Sequence, residues 1–181
     1  VRNTLYVTNR QEWRTWLSRN YDKEKKIWLV YPKKGSGKVG ISYNDSVEEA
    51  LCFGWIDSTI RTLDEDYIMR RFTPRNPKSS YSQANKERLR WLMKEQLLHT
   101  SVKEIATQVL QKKFVFPKDI IEVLKADEKV WRNYQTFSPT YKRIRVAYID
   151  AARKRPQEFQ KRLANFIRKT KDNKQIGYGG I

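Results

Sequence analysis

Residues 55–72 read WIDSTIRTLDEDYIMRRF. Two runs rich in β-branched and aromatic side chains, 55–63 and 67–72, flank the acidic Asp64-Glu65-Asp66. Short β-prone runs parted by turn residues pair with each other, so this stretch predicts an antiparallel hairpin. Upstream, residues 5–7 (LYV) read as a short strand, and 26–31 (KIWLVY) as another that breaks at Pro32. Between them Trp13, Trp16 and Leu17 recur at i, i+3, i+4, one face of a helix ending near Asn20. Thr8 and Gln11 have capping-box spacing at its start. A second helix, capped by Asn44 or Asp45, carries Glu48 and Glu49 early, buries Val47, Ala50 and Leu51, and ends at Gly54.

Beyond the hairpin, residues 73–82 (TPRNPKSSYS) form a polar basic loop, and Ser80 or Ser82 can cap the helix that follows. From there the apolar spacing is helical. Leu89, Leu92, Met93 and Leu97 line one face; Val102, Ile105, Ala106, Val109 and Leu110 line another. Pro117 starts a helix to Leu124, and 127–137 form the next, with Val130, Trp131 and Tyr134 inward. Ser138-Pro139 breaks the pattern before Ile144, Ala147, Tyr148 and Ala151 resume it. Pro156 opens a last helix with Phe159, Leu163, Phe166 and Ile167 inward. A glycine-rich polar tail from 172 onward is expected to fray. The expected fold is α+β: a short antiparallel sheet with packed helices over residues 1–98, then an all-helical basic region over 99–181.

Residues 33–40 (KKGSGKVG) invite comparison with a phosphate-binding loop. Three things speak against a Walker A motif: Pro32 stands where the first glycine belongs, Val39 follows the lysine, and the run is expected to lead into a strand at 41–43. A loop or hairpin tip is expected instead.

The 181 residues hold 38 Lys and Arg against 20 Asp and Glu, a net charge of +18 and a pI ≈ 10.0. Mean hydropathy is −0.83, as in disordered chains, but 6 Trp, 10 Tyr and 7 Phe argue for a folded domain. One Cys and one His exclude a disulfide framework and His-pair metal sites, so no metal and no cofactor is expected. No run approaches a membrane span, and the first 13 residues lack an apolar leader core. The default expectation is a cytoplasmic protein. The charge is uneven: residues 70–90 hold seven basic side chains against one acidic, and 140–181 hold twelve against three. These segments suggest a polyanion partner, with Arg70, Arg71, Arg143, Arg145, Arg153, Lys154, Arg155, Lys161, Arg162 and Arg168 as candidates. Any nucleic-acid binding would be sequence-tolerant, because no RNP, zinc-finger or basic-zipper pattern is present. The last helices could also face an anionic membrane surface, but their apolar stripe is what core packing requires. A protein partner is the remaining option, and no oligomeric state is implied.

The block from Tyr43 to Asn85 carries a recognisable pattern. It comprises Tyr43, ALCFGWIDS at 50–58, Leu63-Asp64, FTPR at 72–75, Ser79, Ser82 and Asn85. Trp13, Trp16-Leu17, Ile27-Trp28-Leu29 and Lys33-Lys34 fit upstream; 117–124 and the basic stretch 153–169 fit more weakly downstream. This resembles the YdeI/OmpD-associated, or bacteriocin-protection, family. Tyr81 stands where that family usually has Trp, and Gln96-Leu97-Leu98 replaces a glycine-bearing stretch. Arg153-Lys154-Arg155-Pro156 replaces its arginine-rich run. The resemblance implies a link to bacteriocin protection and an outer-membrane porin in a bacterial cytosol. It implies no reaction and brings no catalytic residues.

Reading the residues for chemistry agrees with a non-enzymatic protein. Cys52, between Leu51 and Phe53, is expected to be a buried structural thiol, with nothing in the sequence placing His99 beside it. Asp57 and Asp64, seven apart, fall on opposite strand faces, so a carboxylate pair is not expected. Asp57 in a half-buried strand needs a cation, with Arg61 or Arg75 as candidates. Arg75, Lys78, Ser79, Ser82 and Asn85 lead into a helix N-terminus, where free backbone N–H groups attract anions. They form a candidate anion site, and an Asp57/Arg75 ligand pocket is the enzyme-like alternative.

Overall fold

A computed structural model describes residues 3–177. Four strands, β1 (Thr4–Tyr6), β2 (Ile27–Pro32), β3 (Trp55–Thr62) and β4 (Tyr67–Pro74), form one sheet in the order β1-β2-β4-β3. β3 and β4 are the expected hairpin, and β2 pairs antiparallel with β4. β1 joins β2 in parallel, with Leu5 opposite Leu29. That pairing was not legible in the sequence; it needs the crossover that α1 (Arg10–Asn20) supplies. The hairpin register shifts between Asp57 and Ile60: Asp57 lies opposite Phe72, but Ile60 lies opposite Arg70 and Arg61 opposite Met69. The extra residue is a β-bulge, which turns the rest of β3 over relative to its start.

The α1 cap sits one residue later than Thr8. Asn9 Oδ1 accepts the Glu12 N–H at 3.0 Å, while a Glu12 carboxylate oxygen accepts the Thr8 N–H at 2.8 Å. Residues 41–42 are not a strand. They lead directly into α2 (Tyr43–Cys52), whose cap is Ser42 and not Asn44 or Asp45. Ser42 Oγ accepts the Asp45 N–H at 3.1 Å and donates to its carboxylate at 2.7 Å, a local exchange that wins over the β-propensity of Ile41 and Tyr43. The third objection to a phosphate loop therefore falls, whereas Pro32 and Val39 still exclude the Walker pattern.

By compactness the chain divides into two units: residues 1–81 with 88–110, and 82–87 with 111–181. In the first, α1, α2, α3 (Gln83–Lys94) from Arg88 onward, and α4 (Thr100–Gln111) up to Leu110 accompany the sheet. Trp13, Leu17, Leu29, Trp55 and Phe72 are fully buried in its core. The rings interlock, Trp13 to Phe72 at 5.4 Å and Trp16 to Trp55 at 5.8 Å. The indole N–H groups are satisfied: Trp13 donates to the Ser46 carbonyl and Trp55 to the Tyr21 carbonyl, each at 3.0 Å. α4 adds Ala106 to this core, so the first unit runs past residue 98. On the other sheet face Trp28, Val30 and Met69 make a small second cluster.

The second unit contains α5 (Lys118–Lys125), α6 (Glu128–Thr136), α7 (Pro139–Asp150) and α8 (Pro156–Lys171). Pro139 and Pro156 stand in first turns, where a missing N–H costs nothing. Ile120, Leu124, Val130, Tyr134, Ile149, Leu163 and Phe166 form its core, so the apolar stripe of α8 is used in packing. The expected fraying after 172 does not hold for 172–177. The Ile176 N–H donates to Tyr141 Oη at 2.9 Å, and Arg145 Nη2 donates to the carbonyls of Ile176 and Gly177 at 2.7 and 2.9 Å. A buried guanidinium needs acceptors, and the carbonyls of Ile176 and Gly177 provide them. Residues 178–181 of that tail lie outside the described residues. Among the described residues no helix is long and apolar enough to cross a membrane.

Candidate functional site

The buried polar partner of Asp57 is Arg70, not Arg61. Arg70 Nη1 lies 3.1 Å from Asp57 Oδ2, and the Tyr43 hydroxyl donates to the same oxygen at 3.1 Å. The Arg70 guanidinium also stacks 4.2 Å from the centre of the Tyr43 ring. The bulge explains the change of partner. Two-residue alternation would put 57 and 61 on one face, but the extra residue carries Arg61 to the other, where it lies 5.1 Å over Trp28. Burial, and then the neighbouring Asp57 charge, hold the Tyr43 phenol above its ordinary range. Tyr31, behind it, is pushed up further by burial and donates to Ser46 Oγ at 2.6 Å.

Arg75 does not meet Asp57. Its backbone N–H donates to the Gly54 carbonyl at 2.9 Å, and its guanidinium donates to the carbonyls of Asn76 and Ser79 while lying 3.5 Å over Tyr81. Arg75 and Ser79 therefore meet, closing the loop on itself. Lys78 is exposed, and its N–H donates to Asn76 Oδ1 at 2.9 Å. Ser82 caps α3 by accepting the Asn85 N–H at 3.3 Å; these two belong to the second unit.

Cys52 is fully buried, and burial, with the nearby Glu49, pushes its thiol up to about 12. The structure brings the His99 backbone to it: the His99 N–H donates to the Cys52 carbonyl at 3.0 Å. The His99 ring instead stacks 5.2 Å from Phe53 and meets Ser101 Oγ at 2.8 Å. A protonated thiol without an adjacent base is not a nucleophile.

Two ion-pair systems were missed in the sequence. Glu49, buried in α2, is clasped by Arg10 at 2.5 Å and Arg14 at 2.6 Å. Glu87, equally buried, takes Arg143 in a two-pronged pair, Nε to Oε1 and Nη2 to Oε2, both at 2.7 Å. Helical spacing could flag these acids on inward faces, but only the tertiary fold names their partners. Several polyanion candidates are thus engaged internally. Arg143 and Arg145 are held as described; Arg153 bridges Asp119 and Asp150; Arg162 pairs with Glu158 at 2.7 Å and lies over Tyr148. Arg71 Nε donates to Ser58 Oγ, and Arg168 Nη2 to Asn165 Oδ1. Lys154, Arg155 and Lys161 are exposed near the start of α8. Among the described residues no three His, Cys, Asp or Glu side chains gather as a metal would require.

Two family models match the chain. Residues 5–105 match a domain of unknown function, DUF8412, and residues 113–173 match the family described as bacteriocin-protection, YdeI or OmpD-associated. The division reverses the weight given to the sequence blocks. The Tyr43–Asn85 pattern lies within the first match, and the bacteriocin-protection match lies in the helical region. No curated protein and no solved structure matches.

Proposed function

Since the chain belongs to the DUF8412 domain family and its residues 113–173 match the bacteriocin-protection, YdeI or OmpD-associated family, we propose that it is a non-enzymatic cytoplasmic protein of bacteriocin protection, acting by binding. The observation that carries this reading is the match over α5 to α8, which build one hydrophobic core of their own. A binding role is supported by the state of the reactive groups. Cys52 is buried and protonated, and Asp57 is held by Arg70 and Tyr43. The test is a survival assay: producing the full chain in bacteriocin-sensitive bacteria should raise survival, and cell fractionation should place it in the cytosol. Unchanged survival across bacteriocins that enter through different receptors would remove the reading.

Sequence-tolerant nucleic-acid binding is the second reading, favoured by the exposed Lys154, Arg155 and Lys161. Several of the arginines it would use already hold acids or carbonyls, so the excess charge open to a strand lies mainly on other basic residues. Binding of a single-stranded oligonucleotide that weakens steeply with salt would support it; no binding at low salt would end it.

A further inference from the structure

Where β2 ends, the chain leaves the sheet as the 33–40 loop and returns to start α2. Between this loop, the end of β2, the start of α2 and β4 lies a cleft of ≈ 780 Å³, within the range of small-molecule sites. Lys33, Lys34, Lys38 and Arg70 line it together with Tyr31 and Tyr43, and no lining side chain is acidic.

The loop is fastened at both ends. At its start the Lys33 N–H donates to the Asp66 carbonyl at 2.7 Å, and Lys33 Nζ to the Asp64 carbonyl at 2.8 Å. Lys38 Nζ pairs with the Asp66 carboxylate at 2.9 Å. At its end a Cβ on Gly40 would stand 2.3 Å from Pro32 Cδ, so only glycine lets the loop close there. Gly35 (φ 92°) and Gly37 (φ 69°) are in the left-handed region with open space around them. Their bare backbone lines the cleft, where a ligand can approach closely.

We infer that this cleft binds a small molecule carrying a phosphate monoester. The charge decides the class. Of the four lining cations, Arg70 is matched to Asp57 and Lys38 to Asp66. Lys33 gives its ammonium only to a carbonyl, and neither it nor Lys34 has an ion-pair partner among the described residues. Two unmatched positive charges balance a phosphate monoester, which carries about −1.5 to −2 at neutral pH and offers three acceptor oxygens. A carboxylate would balance one. The cleft volume leaves room for an organic body beyond the phosphate. This site lies entirely within the first unit and does not depend on the bacteriocin-protection reading.

The experiment is a titration of the isotope-labelled full chain, read at the backbone amides, with adenosine monophosphate, inorganic phosphate, adenosine, and a single-stranded oligonucleotide in turn. The monophosphate should shift Gly35, Gly37 and Tyr43 saturably, and more tightly than inorganic phosphate, while adenosine should not. Lys34→Ala, at an exposed unpaired position, should keep the folded spectrum and weaken the monophosphate by about tenfold or more, the loss of one charge-assisted hydrogen bond. Lys33→Ala should weaken it similarly, and Lys78→Ala should change nothing. The proposal fails if neither phosphate compound saturates, if adenosine binds equally, or if the lysine variants bind as the parent does. Inorganic phosphate binding as tightly as the monophosphate, or saturation by the oligonucleotide alone, would also overturn it.

Discussion

Asp57 and Arg70 meet on one face of the sheet because Asp57 lies opposite Phe72, whose face Arg70 shares two residues back along β4, while the bulge after Asp57 carries Arg61 to the other face. Phe72, directly opposite Asp57, points into the core, so this carboxylate stands at the core's edge with its side chain 15% exposed. Removing one member leaves a half-buried charge without its partner. Asp57→Ala and Arg70→Ala should each cost about 1–2 kcal/mol in urea unfolding, with the double variant well short of the sum. Asp57→Ala and Arg61→Ala should instead add, since they lie on opposite faces.

Glu87 and Arg143 make a buried ion pair in the second unit. The Glu87 side chain is 2% exposed, and hydrogen bonding to it raises the Arg143 pKa. Arg143→Ala takes a two-pronged cation from a buried carboxylate that keeps the Gln83 amide as a donor, and should destabilise by about 2 kcal/mol, read by chemical denaturation. If oligonucleotide binding is found, the same variant in its folded range should leave the salt slope unchanged, because this arginine is already occupied.

Cys52 should be silent to thiol reagents. The unfolded thiol titrates near 9 and the folded one near 12, so the folded state holds its proton more tightly. Stability from this group is complete below about pH 9 and is lost as pH climbs toward 12. A disulfide reagent at pH 8 should react at the rate of unfolding. Rapid stoichiometric labelling of the folded protein would contradict the burial.

Asp119 and Asp127 should give the second unit an acid-sensitive edge. Hydrogen bonding from Arg153 lowers the Asp119 pKa, and hydrogen bonding from Lys171 lowers that of Asp127. A carboxylate lowered on folding stabilises above its unfolded value, near 3.9, and loses that contribution as pH falls below it. Circular dichroism from pH 5 to 2 should show a shallower acid loss in Lys171→Ala than in the parent.

Among the C-terminal basic candidates, Lys154, Arg155 and Lys161 are exposed near the start of α8. Replacing Lys154, Arg155 and Lys161 together by Ala should reduce the salt slope of any oligonucleotide binding by up to about three, with folding unchanged.

Residues 55–72 and the apolar spacing after residue 83 were enough to read the hairpin and the helices, because strand and helix periodicity are local properties of a chain. The caps moved by a residue or two where several Ser, Thr, Asn and Asp competed, as at Thr8 against Asn9 and Ser42 against Asn44. Local pattern could also show that Asp57 needed a cation and that Cys52 would be buried. It could not choose Arg70 over Arg61 and Arg75. That choice depends on one inserted residue in β3 and on the register of its partner strand. Nor could it show that residues 33–40 curve back to a helix around a lysine-lined cleft, or that the C-terminal arginines are spent on Glu87, Asp119 and the chain's own carbonyls. The net charge of +18 is a property of composition alone. Which basic residues carry that excess was decided only when the chain folded, because pairing is a matter of distances between residues far apart in sequence.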